Sequence, residues 1–240
     1  MHAPTDLSRL RALLLDFGGT LAAEVPSRGA IYAEAARGAG LDVSDHAMAA
    51  RMGAAHDALP LELADGSFRY TRPWFEAFIE HVFVEQLGLG RGRLEGVKEE
   101  LFARFADAAT FRLFPGAREL VDAARARGLR TAIVSNWSEP LPQLVEGLGL
   151  GPFDLILASA SERLEKPEAA LFERALARLG VEPLEALHVG DSRRNDVLGA
   201  EALGISALLL DRGAESPARE RPPRVVRSLN EVRELLISAD

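Results

Sequence analysis

The sequence predicts an α/β protein in which a parallel β-sheet carries helices on both faces. Short apolar runs bounded by turn residues are typical of strands that are buried on both sides. Between the later runs, apolar residues recur at three- and four-residue steps, which is typical of amphipathic helices. One segment breaks this alternation, because its helical pattern is far too long for a single connection. We therefore predict a sheet-based core and a second, smaller helical domain.

Five apolar runs are the predicted strands, and helices alternate with the later ones. The strands are 11–16, 129–135, 153–158, 186–190 and 206–210. The helices are 116–127, 141–148, 168–179 and 196–203, with a last helix near 229–237. Glycines follow several of these helices, as expected at helix ends. A charged, proline-rich surface connection is predicted at 215–224.

The connection between the first two strands contains more than a hundred residues. A complete strand–helix–strand unit needs only about 30. Glycine-containing breaks near residues 38–40, 64–67 and 88–90 divide the inserted segment into about four helices. We predict a small helical domain at 25–112, and a core built from 1–24 and 113–240.

Composition excludes several classes of function. The chain has 28 basic and 36 acidic residues and a net charge of -8, which argues against a surface for nucleic acid or anionic membrane. It has no cysteine, which excludes disulfides, thiolate metal sites and cysteine nucleophiles. No apolar run approaches the roughly 20 residues that span a bilayer, and the first residues do not resemble a signal peptide. We expect a cytoplasmic protein, and the sequence does not decide between monomer and homodimer.

Polar residues follow four of the predicted strands. Ligands bind open α/β sheets where the carboxyl ends of the strands form a crevice, so these side chains are expected to converge. Three carboxylates and one ammonium group would repel or perturb one another unless a divalent cation such as Mg²⁺ joined them. This set predicts a metal-assisted phosphoryl-transfer site. Its members are Asp16, Ser135, Asn136, Lys166, Asp191 and Asp196.

Each of these residue types has a chemical use at such a site. Asp16 is either a metal ligand or a nucleophile that attacks phosphorus. Ser135 and the backbone N–H of Asn136 are expected to donate hydrogen bonds to phosphoryl oxygens. Lys166 is expected to neutralise the charge that develops on them. Lys98, the only other lysine of the chain, lies in a charged run typical of a solvated helix face.

The same residues resemble the four motifs of the haloacid dehalogenase-like (HAD) hydrolase superfamily. The resemblance covers essentially the whole chain, and the inserted segment resembles the helical cap of one subfamily. The motif residues are Asp16-Phe17-Gly18-Gly19-Thr20-Leu21, Ser135-Asn136, Lys166-Pro167, and Gly190-Asp191 with Asp196. The resemblance implies a Rossmann-like core and an aspartyl-phosphate intermediate on Asp16. It also implies Mg²⁺ held by Asp16, the backbone carbonyl of Gly18, Asp191, and Asp196 directly or through water.

Gly18 departs from the pattern of that superfamily. Its phosphatases usually have a second aspartate here, which protonates the leaving group and activates water, a contribution of roughly 10²- to 10⁴-fold. Without it, aryl or acyl leaving groups are expected to depart more readily than alkoxides. Glu24 or a histidine of the cap could supply the proton instead. An aspartate introduced at position 18 is expected to help alkyl substrates more than aryl ones, provided that its side chain fits the local backbone.

The expected function is a Mg²⁺-dependent phosphatase acting on a small phosphorylated metabolite. One alternative is a phosphate-binding or regulatory protein that keeps the fold without turnover. Another is a haloacid dehalogenase, which also lacks the second aspartate. Such an enzyme uses no metal, however, whereas Asp191 and Asp196 favour a metal site. The substrate itself is not predicted. Candidate contacts to the leaving group are Arg28, Arg69, Tyr70, Arg72 and Trp74.

Overall fold

The computed structural model describes residues 7–213 and 224–238. Its contacts form two compact units. We call the first the core unit; it spans Met1–Ala23, Leu113–Trp137 and Gly149–Asp240. We call the second the helical unit; it spans Glu24–Arg112 and Ser138–Leu148. The surface connection predicted at 215–224 lies almost wholly outside the described residues.

The core unit is built on a six-stranded parallel sheet, which confirms the predicted fold class. Its strands are β1 (Ala12–Leu15), β4 (Arg130–Ser135), β5 (Leu155–Ala158), β6 (Ala186–Gly190), β7 (Ser206–Leu210) and β8 (Arg224–Val226). Their order across the sheet is β5-β4-β1-β6-β7-β8, so the first strand lies in the interior. The sixth strand, β8, was not predicted from the sequence.

Helices cover the sheet, and every residue of β1 is 0% exposed. This explains why the strand has no alternation of polar and apolar residues. Helix α8 (Ala169–Leu179) packs through Phe172 on the face that carries Leu14. The core helices are α5 (Ala117–Ala126), α7 (Ser159–Glu162), α8 (Ala169–Leu179), α9 (Gly199–Glu201) and α10 (Leu229–Ile237).

The predicted helix 196–203 differs from the observed structure. Residues Arg193–Leu198 form a wider π-type turn, which the short α9 continues. The Oγ atom of Ser192 accepts a hydrogen bond from the N–H of Asn195 at 3.1 Å. This cap starts the helical turns before residue 196.

The helical unit has its own apolar core. Met48, Trp74 and Phe83 are wholly buried in it, and Trp74 Nε1 donates to the carbonyl of Pro60 at 2.9 Å. Trp74 is therefore a packing residue of this unit. Its longer helices are α1 (Arg28–Gly38), α2 (Asp45–Ala58), α3 (Arg72–Glu80), extended by the π-type turn His81–Gln86, and α4 (Leu94–Ala106).

Helix α6 (Leu141–Gly147) belongs to the helical unit, although the sequence analysis assigned these residues to the core. It packs closely on the turn at Ala108–Thr110: a Cβ atom added at Gly147 would lie only 2.9 Å from the Cβ of Ala108. A contact between segments so distant in the chain has no local sequence signal.

Two short strands mark the ends of the inserted segment. Strands β2 (Ala22–Glu24) and β3 (Phe111–Leu113) pair with each other in a separate two-stranded sheet. The chain therefore leaves and re-enters the core at neighbouring positions. Within the part of the chain that the structure describes, no helix is both long and apolar enough to cross a membrane.

Replacing Leu14 by alanine should lower the free energy of unfolding by about 2–5 kcal/mol, because the cavity would lie in the fully packed interior of the sheet. Urea denaturation would measure the change. Leu184→Ala is the matched control: this leucine is 68% exposed, so its loss should change stability by less than about 0.5 kcal/mol. Equal effects of the two substitutions would contradict the observed packing.

Candidate active site

The site lies at the carboxyl ends of three neighbouring strands of the core unit. Asp16 follows β1, Ser135 ends β4 and Asp191 follows β6. The register aligns Leu15 of β1 with Val189 of β6, and the N–H of Asp16 donates to the carbonyl of Val189 at 3.0 Å. Parallel pairing thus brings together residues that are far apart in the chain.

Lys166 is the central charge of the site. Its ammonium nitrogen lies 2.8 Å from Oδ1 of Asp16 and 2.5 Å from Oδ1 of Asp196, and its side chain is only 2% exposed. Burial alone would lower the pKa of Lys166, but the charges and hydrogen bonds of the two carboxylates outweigh it and raise this pKa above its usual value. Lys166 therefore carries a positive charge at neutral pH.

The amide side chain of Asn136 fixes the backbone of Lys166. Its Nδ2 donates to the Lys166 carbonyl at 2.9 Å, and its Oδ1 accepts from the Lys166 N–H at 2.8 Å. The expected contact of Asn136 with phosphate involved only its backbone N–H. The structure adds a role for the side chain, which the sequence did not indicate: it holds the loop that carries Lys166.

Asp196 is held from three sides, and one of its partners was missed by sequence reasoning. Its Oδ1 contacts Lys166 and lies 3.0 Å from Nε2 of His188, while its Oδ2 accepts from the N–H of Ser192 at 2.9 Å. Burial opposes ionisation, but Lys166 and His188 together lower the pKa of Asp196 well below its usual range. His188 is a wholly buried polar residue within an apolar strand, and that anomaly was the available signal.

Three carboxylates of the core unit form a cluster suited to a cation. Asp16, Asp191 and Asp196 each offer an oxygen, and these oxygens lie within 4.8 Å of one another. Partial burial, followed by the charges of Asp16 and Asp196, raises the pKa of Asp191 from 3.8 to about 6. Lys166 balances one of the three negative charges. The remaining charge and the all-oxygen donor set fit a hard divalent cation such as Mg²⁺.

Two glycines make this convergence possible. At Gly190 a Cβ atom would lie 2.1 Å from the carboxyl carbon of Asp196. At Gly19 it would lie 2.1 Å from an Asp191 oxygen, and the φ of +79° there also favours glycine. A side chain at either position would push a carboxylate out of the cluster.

Gly18 lies against the indole ring of Trp137. A Cβ atom at position 18 would be 2.6 Å from Cζ3 of that ring, so no other residue fits without moving the tryptophan. The ring is supported edge-to-face by Phe17, with centroids 5.1 Å apart. The condition for a useful aspartate at position 18, that its side chain fits, is therefore not met while the indole keeps this place. The local obstacle is the indole.

Arg212 is a further residue that the sequence analysis missed. It donates to the carbonyls of Gly19 and Thr20 at 2.5 and 2.6 Å, and its guanidinium lies 3.6 Å from the centroid of the Phe114 ring. Burial lowers the pKa of Arg212 from its usual value. Arg212 thereby fixes the loop that follows Asp16 from the end of β7. The chain has 26 arginines, and nothing in the sequence distinguishes Arg212 from the others.

Glu24, considered from the sequence as a replacement acid, lies in the helical unit. Its carboxylate is paired with the guanidinium of Arg28, and its side chain is 14% exposed. The sequence analysis considered Glu24 as a proton donor and Arg28 as a contact to the leaving group. In the structure they bind each other.

Asp191 makes the stability of the metal-free protein depend on pH. Because its pKa is raised in the folded state, the folded protein binds this proton more tightly than the unfolded chain. That stabilisation is present below pH 3.8 and is lost as the pH rises through about 6. With a chelator present, Asp191→Asn should therefore be more stable than the wild type at pH 7.5. Its free energy of unfolding should be higher by on the order of 1 kcal/mol after solvent screening.

The difference should shrink towards pH 5, and thermal melting across this range would measure it. Asp122→Asn, at an exposed position of α5, is the control and should show no such trend. A higher melting temperature for the wild type than for Asp191→Asn, at pH 7.5 in chelator, would contradict an unfavourable environment for the charged Asp191.

Comparison with known proteins identifies the family. A family model described as haloacid dehalogenase-like hydrolase matches residues 10–204. Haloacid dehalogenase-like hydrolase domain-containing protein 3 from Bos taurus is 30% identical over 207 residues, which cover 84% of this chain and 82% of that protein. A phosphoserine phosphatase from Thermus thermophilus is 32% identical over 237 residues, which cover 89% of this chain and 94% of that enzyme.

Solved structures share the fold as well. The L-2-haloacid dehalogenase from Xanthobacter autotrophicus superposes with a TM-score of 0.70 at 22% identity, covering 95% of this chain and 98% of that one. At this identity the likeness concerns the fold alone. The family match spans both the strand-end residues and the inserted segment, and the relative from Bos taurus, whose name gives the same family, agrees with it. This chain belongs to the haloacid dehalogenase-like hydrolase family.

Proposed function

We propose that the protein is a phosphatase that acts on a small phosphorylated molecule, with Asp16 as the nucleophile. The observation that carries this proposal is the way in which Asp16 is held. Its Oδ1 accepts from Ser135 Oγ at 2.9 Å and from Lys166 Nζ at 2.8 Å. Among the described residues no donor contacts Oδ2. One oxygen is thus anchored, and the other is available to attack phosphorus.

Mg²⁺ is the cation proposed for the carboxylate cluster, where it would neutralise charge on the phosphoryl group. Asp16 and Asp191 would hold it, together with the backbone carbonyl of Gly18. Asp196 already uses Oδ1 for Lys166 and His188 and Oδ2 for the N–H of Ser192. This favours a contact of Asp196 with the ion through water.

The other residues of the core unit supply binding and orientation. Lys166 holds its proton and presents a compact positive charge, which stabilises the extra negative charge of the transferring phosphoryl group. Ser135 orients the attacking carboxylate, and the backbone N–H of Asn136 donates to a phosphoryl oxygen. Hydrolysis of the aspartyl phosphate by water then returns Asp16 and releases phosphate. We assign 25–112 the role of a cap that selects the substrate.

Two observations separate this proposal from the haloacid dehalogenase alternative. The carboxylate cluster supports metal-assisted phosphoryl transfer over metal-free dehalogenation. The phosphoserine phosphatase of Thermus thermophilus, a relative across nearly the whole chain, points the same way. Gly18 and the indole beside it favour the remaining alternative, which is phosphate binding without turnover. A test of turnover decides between these two functions.

A panel of phosphate esters, acyl phosphates and 2-haloacids, assayed with Mg²⁺ and with a chelator, tests the proposal. We expect Mg²⁺-dependent release of phosphate and no release of halide. Asp16→Asn should reduce turnover by roughly 10³-fold or more while the protein stays folded, because the amide cannot act as the nucleophile. Asp122→Asn, an exposed aspartate of α5, should leave turnover unchanged. Full activity in chelator, or in Asp16→Asn, would overturn the mechanism.

Lys166→Arg should be nearly as inactive as Lys166→Ala, with a loss of roughly 10²-fold or more in kcat/KM. A planar guanidinium cannot replace a compact ammonium that lies 2.8 and 2.5 Å from two carboxylates. The chain offers a matched control in Lys98→Arg, the only other lysine, which lies on α4. Steady-state kinetics on the best substrate of the panel would measure both. An active Lys166→Arg enzyme would reduce the lysine to general charge balance.

A further inference from the structure

The indole of Trp137 occupies the space into which a side chain at position 18 would project. Three atoms of its six-membered ring lie 2.6–3.4 Å from the place of a Cβ atom at Gly18. Gly18 has no positive φ, so its backbone would accept other residues. The restriction at this position therefore comes from Trp137.

Trp137 is held in place by its backbone and by its ring. Its N–H donates to Ser159 Oγ at 3.1 Å, and its carbonyl accepts from Ser159 Oγ at 3.3 Å and from the N–H of Ala160 at 3.1 Å. Ser159 is wholly buried. The ring stands at 83° to that of Phe17, the residue directly after the proposed nucleophile. This fixed indole remains partly exposed.

The lysine and the histidine nearest the proposed nucleophile are both engaged with carboxylates. Lys166 is bound to both Asp16 and Asp196, and His188 is buried behind Asp196. A leaving group therefore meets an aromatic surface next to Gly18, where a proton donor on that residue has no room. This combination favours a leaving group that is flat, apolar and stable without a proton.

We propose that Trp137, paired with Gly18, is a specificity-determining residue that selects phosphate monoesters of aromatic alcohols. This inference rests on the proposed phosphatase function. In the transfer step the bond from phosphorus to the aryl oxygen breaks, and its electron pair stays on that oxygen as phenolate. A bond forms between phosphorus and Asp16 Oδ2. A phenol has a pKa of roughly 10, so its anion leaves without a donated proton far more easily than an alkoxide does.

Binding of two phosphonates, which cannot be hydrolysed, tests the contact without turnover. In calorimetry with Mg²⁺ present, phenylphosphonate should bind the wild type roughly 2- to 12-fold more tightly than propylphosphonate, as expected for one aromatic contact. Trp137→Phe should keep much of this preference, and Trp137→Leu should lose it. Equal affinities in the wild type would overturn the inference, even if one of the variants does not fold.

Kinetics with phenyl phosphate and propyl phosphate give the second arm. The wild type should favour the phenyl ester in kcat/KM. Gly18→Asp alone should lose activity on both esters, because its side chain meets the indole. In Gly18→Asp/Trp137→Ala the carboxylate has room, so this variant should hydrolyse propyl phosphate faster than Gly18→Asp does. An active Gly18→Asp with Trp137 intact would refute the pairing.

The outcomes separate this inference from the proposed function. If the wild type hydrolyses both esters equally well, the protein is a phosphatase and Trp137 does not select its substrate. If it binds neither phosphonate and hydrolyses neither ester of this pair nor any other phosphate, the proposed function itself fails. Melting temperatures of all variants identify those that lose activity by unfolding.

Discussion

The site depends on one buried cation, the ammonium group of Lys166. Removing an ion from water costs several kcal/mol, and this cost is offset only where partners are close and well placed. Asp16 and Asp196 are such partners, at 2.8 and 2.5 Å. The position of the ammonium therefore determines where both carboxylates lie. Because Asn136 fixes the lysine backbone from the end of β4, the location of the charge follows from the sheet itself.

The rest of the site is an arrangement of negative charge around that cation. Two carboxylates are neutralised or hydrogen-bonded, whereas partial burial and then repulsion from Asp16 and Asp196 raise the pKa of Asp191. Glycines at positions 19 and 190 allow the carboxylates to approach this closely. The metal-free site is therefore compact but electrostatically strained at Asp191, and a divalent cation would relieve that strain.

The sequence predicted the sheet and the residues at its edge because both follow from local patterns and one topological rule. Apolar runs identified β1, β4, β5, β6 and β7, and the rule that ligands meet strand carboxyl ends brought Asp16, Lys166 and Asp191 together. Other features depend on packing between distant segments, for which periodicity carries no information. These include the contact of Trp137 with Gly18, the support of the Asp16 loop by Arg212, and the placement of α6.

Some differences have a more specific origin. His188 lies in an apolar run, so the strand was recognised while its one polar side chain was overlooked. The wide turn at Arg193–Leu198 begins at the Ser192 cap, whereas the apolar spacing alone suggested a helix that starts three residues later. Strand β8 has only three residues, too few for a pattern. The roles of the site residues in catalysis remain predictions.

The pairing of β2 with β3 has a consequence for how such a protein can diversify. These strands bring the two ends of the inserted segment side by side, about 5 Å apart as in any sheet. The entropy of closing a long loop grows only with the logarithm of its length, so each doubling costs roughly 0.6 kcal/mol. Strand β1, which Asp16 follows, is therefore little affected by the size of the inserted segment. Evolution can lengthen, shorten or exchange the segment between β2 and β3 while the chemistry at the sheet edge is inherited unchanged.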